Sequence, residues 1–545
     1  MKAGFLASAI GLATLAGTTD AQSNVVPGLD VQLAKMDQIS ALGRVGTYPN
    51  GMNGVAQATT ACNKGTVKVP WEQAMDPDHP FITFLVGRET DGRLTQISDY
   101  SYVKHGFFAL TSSFCDTCQE GPFGGGDILG LGCSDTYSVQ NNGDNYWLAP
   151  AEEIDPWLGF WDPICSHFDM GEPAVNPPFD CDGNRSLTSG MATALGPVGH
   201  RINIPDQEFL IAGDFYYQGY YVVEGEAESL RENNLLSRTF TPSWSGTKWN
   251  LPSPAGSVEG SILERWSGAT VTSEKNGNDD GRVYVALKVT GPTDGLYHYE
   301  YAIHNRDNFR GVSSLSIPIC SGARVLNTGS SDLDGHPANN WTVAVGATDV
   351  TFSTNINPVR WNTFYNFWFD SDAAPLGGTA TLDQFDPGAG AASIALTTGA
   401  PLGLYNVYLG DGCSGTGSFP VLSATGNPPQ ATLGNPTFGF QVTGSVPNQM
   451  NVLVLSLQAG AIDVGGGCTQ WFGGTLSSAA LVMMTTSDGS GVASYATPVP
   501  SSPSLEGAFA NVQAAGFNPG GGLISGFDLS NGLQVRVGDS VSGCP

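Results

Sequence analysis

The residues best equipped for chemistry lie between His105 and Tyr137. The stretch HGFFALTSSFCDTCQEGPFGGGDILGLGCSDTY sets a histidine, three cysteines and several acids around a glycine-rich turn. Cys115, Cys118 and Cys133 with His105 would form a Cys3His set, and zinc takes four such ligands tetrahedrally. A strong zinc signature adds a second CxxC or an HxxxH, and the chain has neither. The competing fates of these thiols are disulfide pairing and redox exchange. GLGCSDTY departs from the G-x-S-x-G nucleophile elbow at Thr136, where the motif needs glycine. Triads are defined by geometry, so Ser134 and Asp135 with His105 (or His167) remain the catalytic candidates of an extracellular enzyme, metal-dependent or hydrolytic.

Further candidates lie outside that stretch. Asp180-x-Asp182-Gly183-Asn184 and Asp332-x-Asp334-Gly335 place hard oxygens on tight turns, which suits calcium. Neither follows the full EF-hand pattern, and Asx turns explain them as well. In LYHYEYAIHN a period of two puts His298, Glu300 and His304 on one strand face and Tyr297, Tyr299 and Tyr301 on the other. Residues i and i+6 of a strand are roughly 20 Å apart, too far to share one metal ion. The expectation is a solvated histidine face over packed tyrosines. Trp147, Trp157, Trp161, Trp361 and Trp368, with Tyr365, offer rings on which sugars stack, with core packing as the plain alternative. Glu152, Glu153 and Asp155 leave room for a glycosidase-like carboxylate pair. Gly410-x-Gly412-x-x-Gly415 lacks a βαβ context and is a chance match to the dinucleotide fingerprint.

Composition limits what can position these groups. With 22 Lys+Arg against 50 Asp+Glu the formal charge is -28. Nucleic acid and anionic membranes need clustered cations, so neither is an expected partner. Charged residues are only 13% and Gly reaches 72 of 545, a profile of secreted all-β chains. Residues 1–21 read as a signal peptide, with Lys2 followed by an apolar run from Ala3 to Ala16. No later run approaches the roughly 18 apolar residues of a membrane span. Ten cysteines, an even number in an exported chain, point to disulfides. Cys62, Cys115, Cys118, Cys133, Cys165 and Cys181 form the N-terminal set. Cys413 and Cys468 are expected to staple the C-terminal part, with Cys320 and Cys544 left unassigned.

The expected architecture is all-β: tandem β-sandwiches behind an irregular, disulfide-rich N-terminal domain. The expected divisions are 22–200, a central β-sandwich over 201–400 and a C-terminal module over 401–545. Leu33–Leu42 could form a short helix, whereas Phe81–Arg88 reads as a buried strand. Asp144–Pro163, rich in Pro and Asp, reads as an ordered loop, and Asn176–Gly190 as turns. Phe215–Glu226, Arg282–Thr290, Leu296–Asn305, Trp341–Phe352 and Arg360–Phe369 read as strands, with a turn at Asp279-Asp280-Gly281. Gly388–Pro401 reads as a last strand running into a linker.

GDGCSGTGSFPVLSATGNPPQATLGNPTFGF, GGGCTQW and SNGLQVRVG resemble a module at the ends of secreted planctomycete proteins. RLTQISDYSYVKHGFFAL, LGLGCSDTY and NPVRWNTFYNFWFDSDAAP resemble an uncharacterised family from similar organisms. The resemblance spans most of the mature chain. It implies an exported multidomain β-protein and no particular reaction. The expected role is a secreted or cell-surface interaction protein that binds polysaccharide, matrix or envelope, with calcium as a structural ion.

Overall fold

A computed structural model describes residues 24–538 and Cys544, apart from 74, 101, 121–125, 172–179, 255, 278–280, 294, 335, 337, 416 and 521–525. The signal-peptide expectation and the Asp279-Asp280 turn therefore fall outside the described residues. The chain is all-β, built as tandem β-sandwiches. Among the described residues no helix is long and apolar enough to cross a membrane.

A seven-stranded sheet is the middle layer of the N-terminal half. Phe81–Thr90 and Asp214–Val222 pair antiparallel at its centre, in register from Phe81–Val222 to Glu89–Asp214. Leu235–Phe240 and Val103–His105 flank them. Both central strands are buried almost throughout because each face is covered. Ile82, Phe84 and Val86 join Tyr217 and Tyr221 in a core with Leu33, Val55 and Trp71. Leu85 and Tyr216 point the other way, onto Tyr284, Ala302 and Phe364 of the following unit. Period-two alternation thus explains how FITFLVGR is buried on both sides. The pairing of strands 81–90 and 214–222 crosses residue 200, so the two sides of that expected division share one sheet.

Leu33–Leu42 is not a helix. It contributes to two strands, Val31–Lys35 and Ile39–Val45, because Val31 and Leu33 alternate into the core and Asp37 interrupts the run. Asp144–Pro163 is largely loop, as its composition suggests. Its short elements are two single 3-10 turns, the strand Leu148–Ala149 paired with Val103–His105, and a small ladder joining Ile154–Asp155 to Phe160–Trp161.

The central unit stacks two five-stranded sheets. Tyr299, Tyr301, Phe367 and Phe369 of one sheet meet Leu315, Ile317, Phe352 and Leu382 of the other. Ser393–Gly403 is a full edge strand, paired along Ala374–Gln384. Only the buried Leu404 and Tyr405 separate it from the next strand, Asn406–Gly410, so the linker expected after Gly388–Pro401 has no room to exist. The C-terminal module packs a six-stranded and a three-stranded sheet around Phe440, Val442, Leu453 and Val512.

All ten cysteines are bonded: Cys62–Cys115, Cys118–Cys133, Cys165–Cys181, Cys320–Cys544 and Cys413–Cys468. The last is the expected C-terminal staple. Cys320–Cys544 joins the two cysteines the sequence left unassigned, and it clamps the chain's C-terminal end onto the central unit.

Candidate functional site

The bonded thiols remove the Cys3His metal set, since Cys115, Cys118 and Cys133 have no sulfur left to donate. His105, Ser134 and Asp135 do not form a hydrogen-bonded triad either. Ser134 lies in a regular strand, Ser134–Tyr137, opposite Cys62, instead of on a strand-to-helix elbow. Its hydroxyl bonds Ser112 Oγ (2.6 Å) and accepts from Phe114 N–H (3.1 Å). Asp135 is fully buried and accepts from Leu110 N–H at 2.7 Å. Burial pushes its carboxyl up to about 7, against the opposing pull of that amide and Lys104. His105 is buried beside His79, with Nδ1 of one 2.9 Å from Nε2 of the other. Burial, reinforced by His79 and Lys104, drives the His105 imidazole well below its ordinary range. The three are core residues, none presented to a substrate.

The aromatic candidates divide. Trp157, Trp161 and Trp361 are buried and offer no free ring face, which corrects the expectation of stacking platforms there. Trp161 donates to Glu153 Oε2, while Trp361 donates to Ala151 O (3.1 Å). Trp147 stacks on Phe107 and has Arg185 5.0 Å from its ring centroid. Trp368 is half-buried with Arg93 stacked on it, 3.8 Å from the ring centroid.

Trp368 leads to the site that the fold does assemble. Where the N-terminal sheet meets the central unit, a polar cleft opens with two lobes that share Arg88 and Thr95. One lobe, about 720 Å³, runs from Gln96 and Asp99 to Asp332 and Asp334. The other, about 460 Å³, is bounded by Thr90, Arg93, Lys288, Thr290, His298 and Glu300. The tight hairpin Thr90-Asp91-Gly92-Arg93 holds Arg93 over the central sheet, with Asp91 and Gly92 both at positive φ.

Each cation of the cleft is paired. Arg88 meets Glu208 (2.6 Å), Arg93 meets Glu300 (2.6 Å) and Lys288 meets Glu89 (3.3 Å). His298 lies between Asp370 Oδ1 (2.7 Å, at Nδ1) and Glu300 Oε2 (3.2 Å, at Nε2). Hydrogen bonding to Glu300, and then to Asp370, holds its imidazole above the ordinary value. The result is a wall of hydrogen-bond donors and acceptors in which every cation is paired and the acids are in excess.

The histidine strand corrects an expectation here. Its tyrosines pack inside as expected, but the opposite face is solvated only at His298. Glu300 and His304 are covered by the N-terminal unit. His304 Nδ1 lies 2.8 Å from Ser261 Oγ and its Nε2 3.3 Å from Gln218 Nε2. Asp332 and Asp334 line the cleft as Asx turns. Asp332 accepts from Asp334 N–H and Asn357 Nδ2, and Asp334 from His336 N–H and Asn339 Nδ2. Each of these four oxygens thus accepts one bond within the loop; Gly335 lies outside the described residues. In the other acidic loop Asn184 donates to Asp182 through N–H and Nδ2, both at 2.8 Å.

Arg88, Arg93 and Lys288 escaped the sequence reading. With 22 Lys+Arg in 545 residues, two arginines in FLVGRETDGR were the available signal.

The fold thus defines a class: disulfide-stapled, multidomain β-sandwich proteins with a polar inter-unit cleft. No family model and no curated protein matches the chain. Among solved structures it is similar to the major pilin subunit of Bacillus cereus, at 11% identity over 63% of this chain and 85% of the pilin, with a TM-score of 0.18. It is also similar to alpha-2-macroglobulin of Escherichia coli, at 9% identity over 94% of this chain and 35% of that one, with a TM-score of 0.14.

Proposed function

We propose that this is an extracellular or cell-surface interaction protein that binds a neutral polysaccharide in the cleft between its N-terminal and central units. Five disulfides and no free cysteine among the described residues support an oxidising compartment. The observation that carries the binding reading is the cleft. It is large and lies where two units meet; paired ions and threonine hydroxyls wall its smaller lobe, and amides and carboxylates among apolar side chains wall the larger. Paired ions present donors and acceptors together, which suits a polyhydroxylated neutral chain. An anionic polymer would meet the formal charge of -28.

Affinity electrophoresis of the full chain in gels cast with dextran, galactomannan or alginate tests this reading. Retardation by a neutral polymer that is lost in Arg93→Ala supports it. Retardation by alginate alone, or retardation unchanged in Arg93→Ala, contradicts it.

A further inference from the structure

The loop closed by Cys165–Cys181 contains a second feature, remote in chemistry from the cleft. Asp169, in the short helix His167–Met170, is fully buried. Its Oδ2 accepts from two backbone amides, Cys165 N–H (2.8 Å) and Gly183 N–H (3.1 Å). Its Oδ1 is shielded from solvent and has no hydrogen-bond partner among the described residues. A carboxylate oxygen left bare inside a protein is costly, and such atoms are normally paired or hold a cation.

Two exposed carboxylates complete the picture. One oxygen each of Asp169, Asp180 and Asp182 lies within 4.8 Å of the others. Two oxygens bound to one Ca²⁺ at about 2.4 Å can be no more than about 4.8 Å apart, and every pair of the three meets that limit. Asn184 holds Asp182 by both of its N–H groups, and these bonds keep the Asp182 carboxyl below its usual range. The Cys165–Cys181 bridge fixes the strand of chain carrying Asp180 and Asp182 beside the helix that carries Asp169.

We propose that Asp169, Asp180 and Asp182 bind one Ca²⁺, which ties the disulfide loop to the His167–Met170 helix. The donors are all hard oxygens, without nitrogen or sulfur, which selects against zinc and copper. Three carboxylates, two of them exposed to water, suit the flexible 6–8-fold shell of Ca²⁺ better than the rigid octahedron of Mg²⁺. Asn184 is not a ligand in this arrangement. It orients Asp182 and leaves Asp169, which the loop's sequence pattern does not contain, as the inner ligand. The site stands apart from the polysaccharide cleft, and either can fail alone.

The test is titration of the chelator-treated full chain with CaCl2, read by calorimetry and by melting temperature. MgCl2 serves as the comparison. One equivalent of bound Ca²⁺ and a raised Tm are expected, with affinity reduced at least about tenfold in both Asp169→Asn and Asp182→Asn. Asp182 is exposed, so its variant folds even if the buried Asp169→Asn does not. Asp334→Asn should leave the titration unchanged. The proposal is overturned if about 5 mM Ca²⁺, above the ~0.1–1 mM range of weak extracellular sites, gives neither heat nor a Tm shift. Unaltered binding by Asp182→Asn, or Mg²⁺ binding as tight as Ca²⁺, overturns it too.

Discussion

Replacing Asp307 with alanine should loosen the junction on which the cleft depends. Asp307 is fully buried where the two units meet. Its Oδ2 accepts from Tyr220 OH (3.0 Å) and Arg231 Nη1 (3.2 Å) and lies 3.1 Å from Arg306 Nη2. Its Oδ1 accepts from Arg282 N–H at 2.7 Å. Burial raises its carboxyl, but Arg306 and Arg231 outweigh that and hold it below the ordinary range. Alanine would leave the fully buried Arg306 guanidinium with Glu228 (3.3 Å) and the largely exposed Glu232 (3.0 Å) as its carboxylate partners among the described residues. It would leave Arg231 with no carboxylate partner among its described hydrogen bonds. Removing one partner of a buried ion pair costs about 3–5 kcal/mol because the remaining charge stays buried. That is a large fraction of the 5–15 kcal/mol typical of a folded unit. Asp307→Asn keeps the shape and an acceptor, so its loss should be smaller, about 1.5–3 kcal/mol.

Urea unfolding followed by tryptophan fluorescence reads the effect, because Trp157 stacks under Arg231 and Trp361 bonds across the junction to Ala151. Glu232→Ala is the control, since Glu232 is 52% exposed in its ion pair and should cost under about 1 kcal/mol. A loss below about 1 kcal/mol in Asp307→Ala, or one no greater than in Glu232→Ala, would refute the reasoning.

Three further outcomes follow from the same contacts. Asp135→Asn should gain stability over the parent as pH rises from 4 to 7. Its folded carboxyl stays protonated up to about 7 while the unfolded one ionises near 4, a difference of order 4 kcal/mol by linkage. A pH-independent difference in urea midpoint would count against this. His304, held by burial at about 3, keeps its full contribution above the unfolded pKa of 6.5 and loses it as pH falls towards 3. The His304→Gln variant should therefore lose about 2 kcal/mol less than the parent between pH 7 and 5, measured by the same denaturation series. Cys544→Ser opens a bridge spanning 224 residues and should lower stability by up to about 5 kcal/mol. Limited proteolysis should then release the C-terminal module first, and unchanged cleavage would contradict the clamp.

Much of the architecture was legible in local pattern. Leu296–Asn305 alternates cleanly, and its tyrosines face the core as period two dictates. Cys413–Cys468 followed from there being few cysteines nearby. The misreadings share one physical cause, which is burial supplied by residues distant in sequence. Glu300 and His304 look like a solvated face until the N-terminal unit covers them, through contacts such as Asn362 Nδ2 to Thr83 Oγ1 (2.7 Å) and Phe364 N–H to Gln96 Oε1 (2.9 Å). Gly87 shows how close that approach is. A Cβ there would lie 3.2 Å from Ile262 and 3.3 Å from Phe364, and nothing local in FLVGRET says so. Leu33–Leu42 carries helix-compatible residues, but edge pairing with Thr59–Asn63 and Met52–Gln57 decides it as strand. The cleft was hidden for the same reason, since Arg88 and Arg93 come together with Lys288 and Glu300 only across the junction.

The most direct measurement is hydrogen exchange of the full chain with and without whichever neutral polysaccharide retards it. Slowed exchange is predicted in the hairpin around Thr90–Thr95 and in the strands carrying Lys288 and His298. Protection confined to the C-terminal module, or spread evenly over the chain, would contradict binding in the cleft.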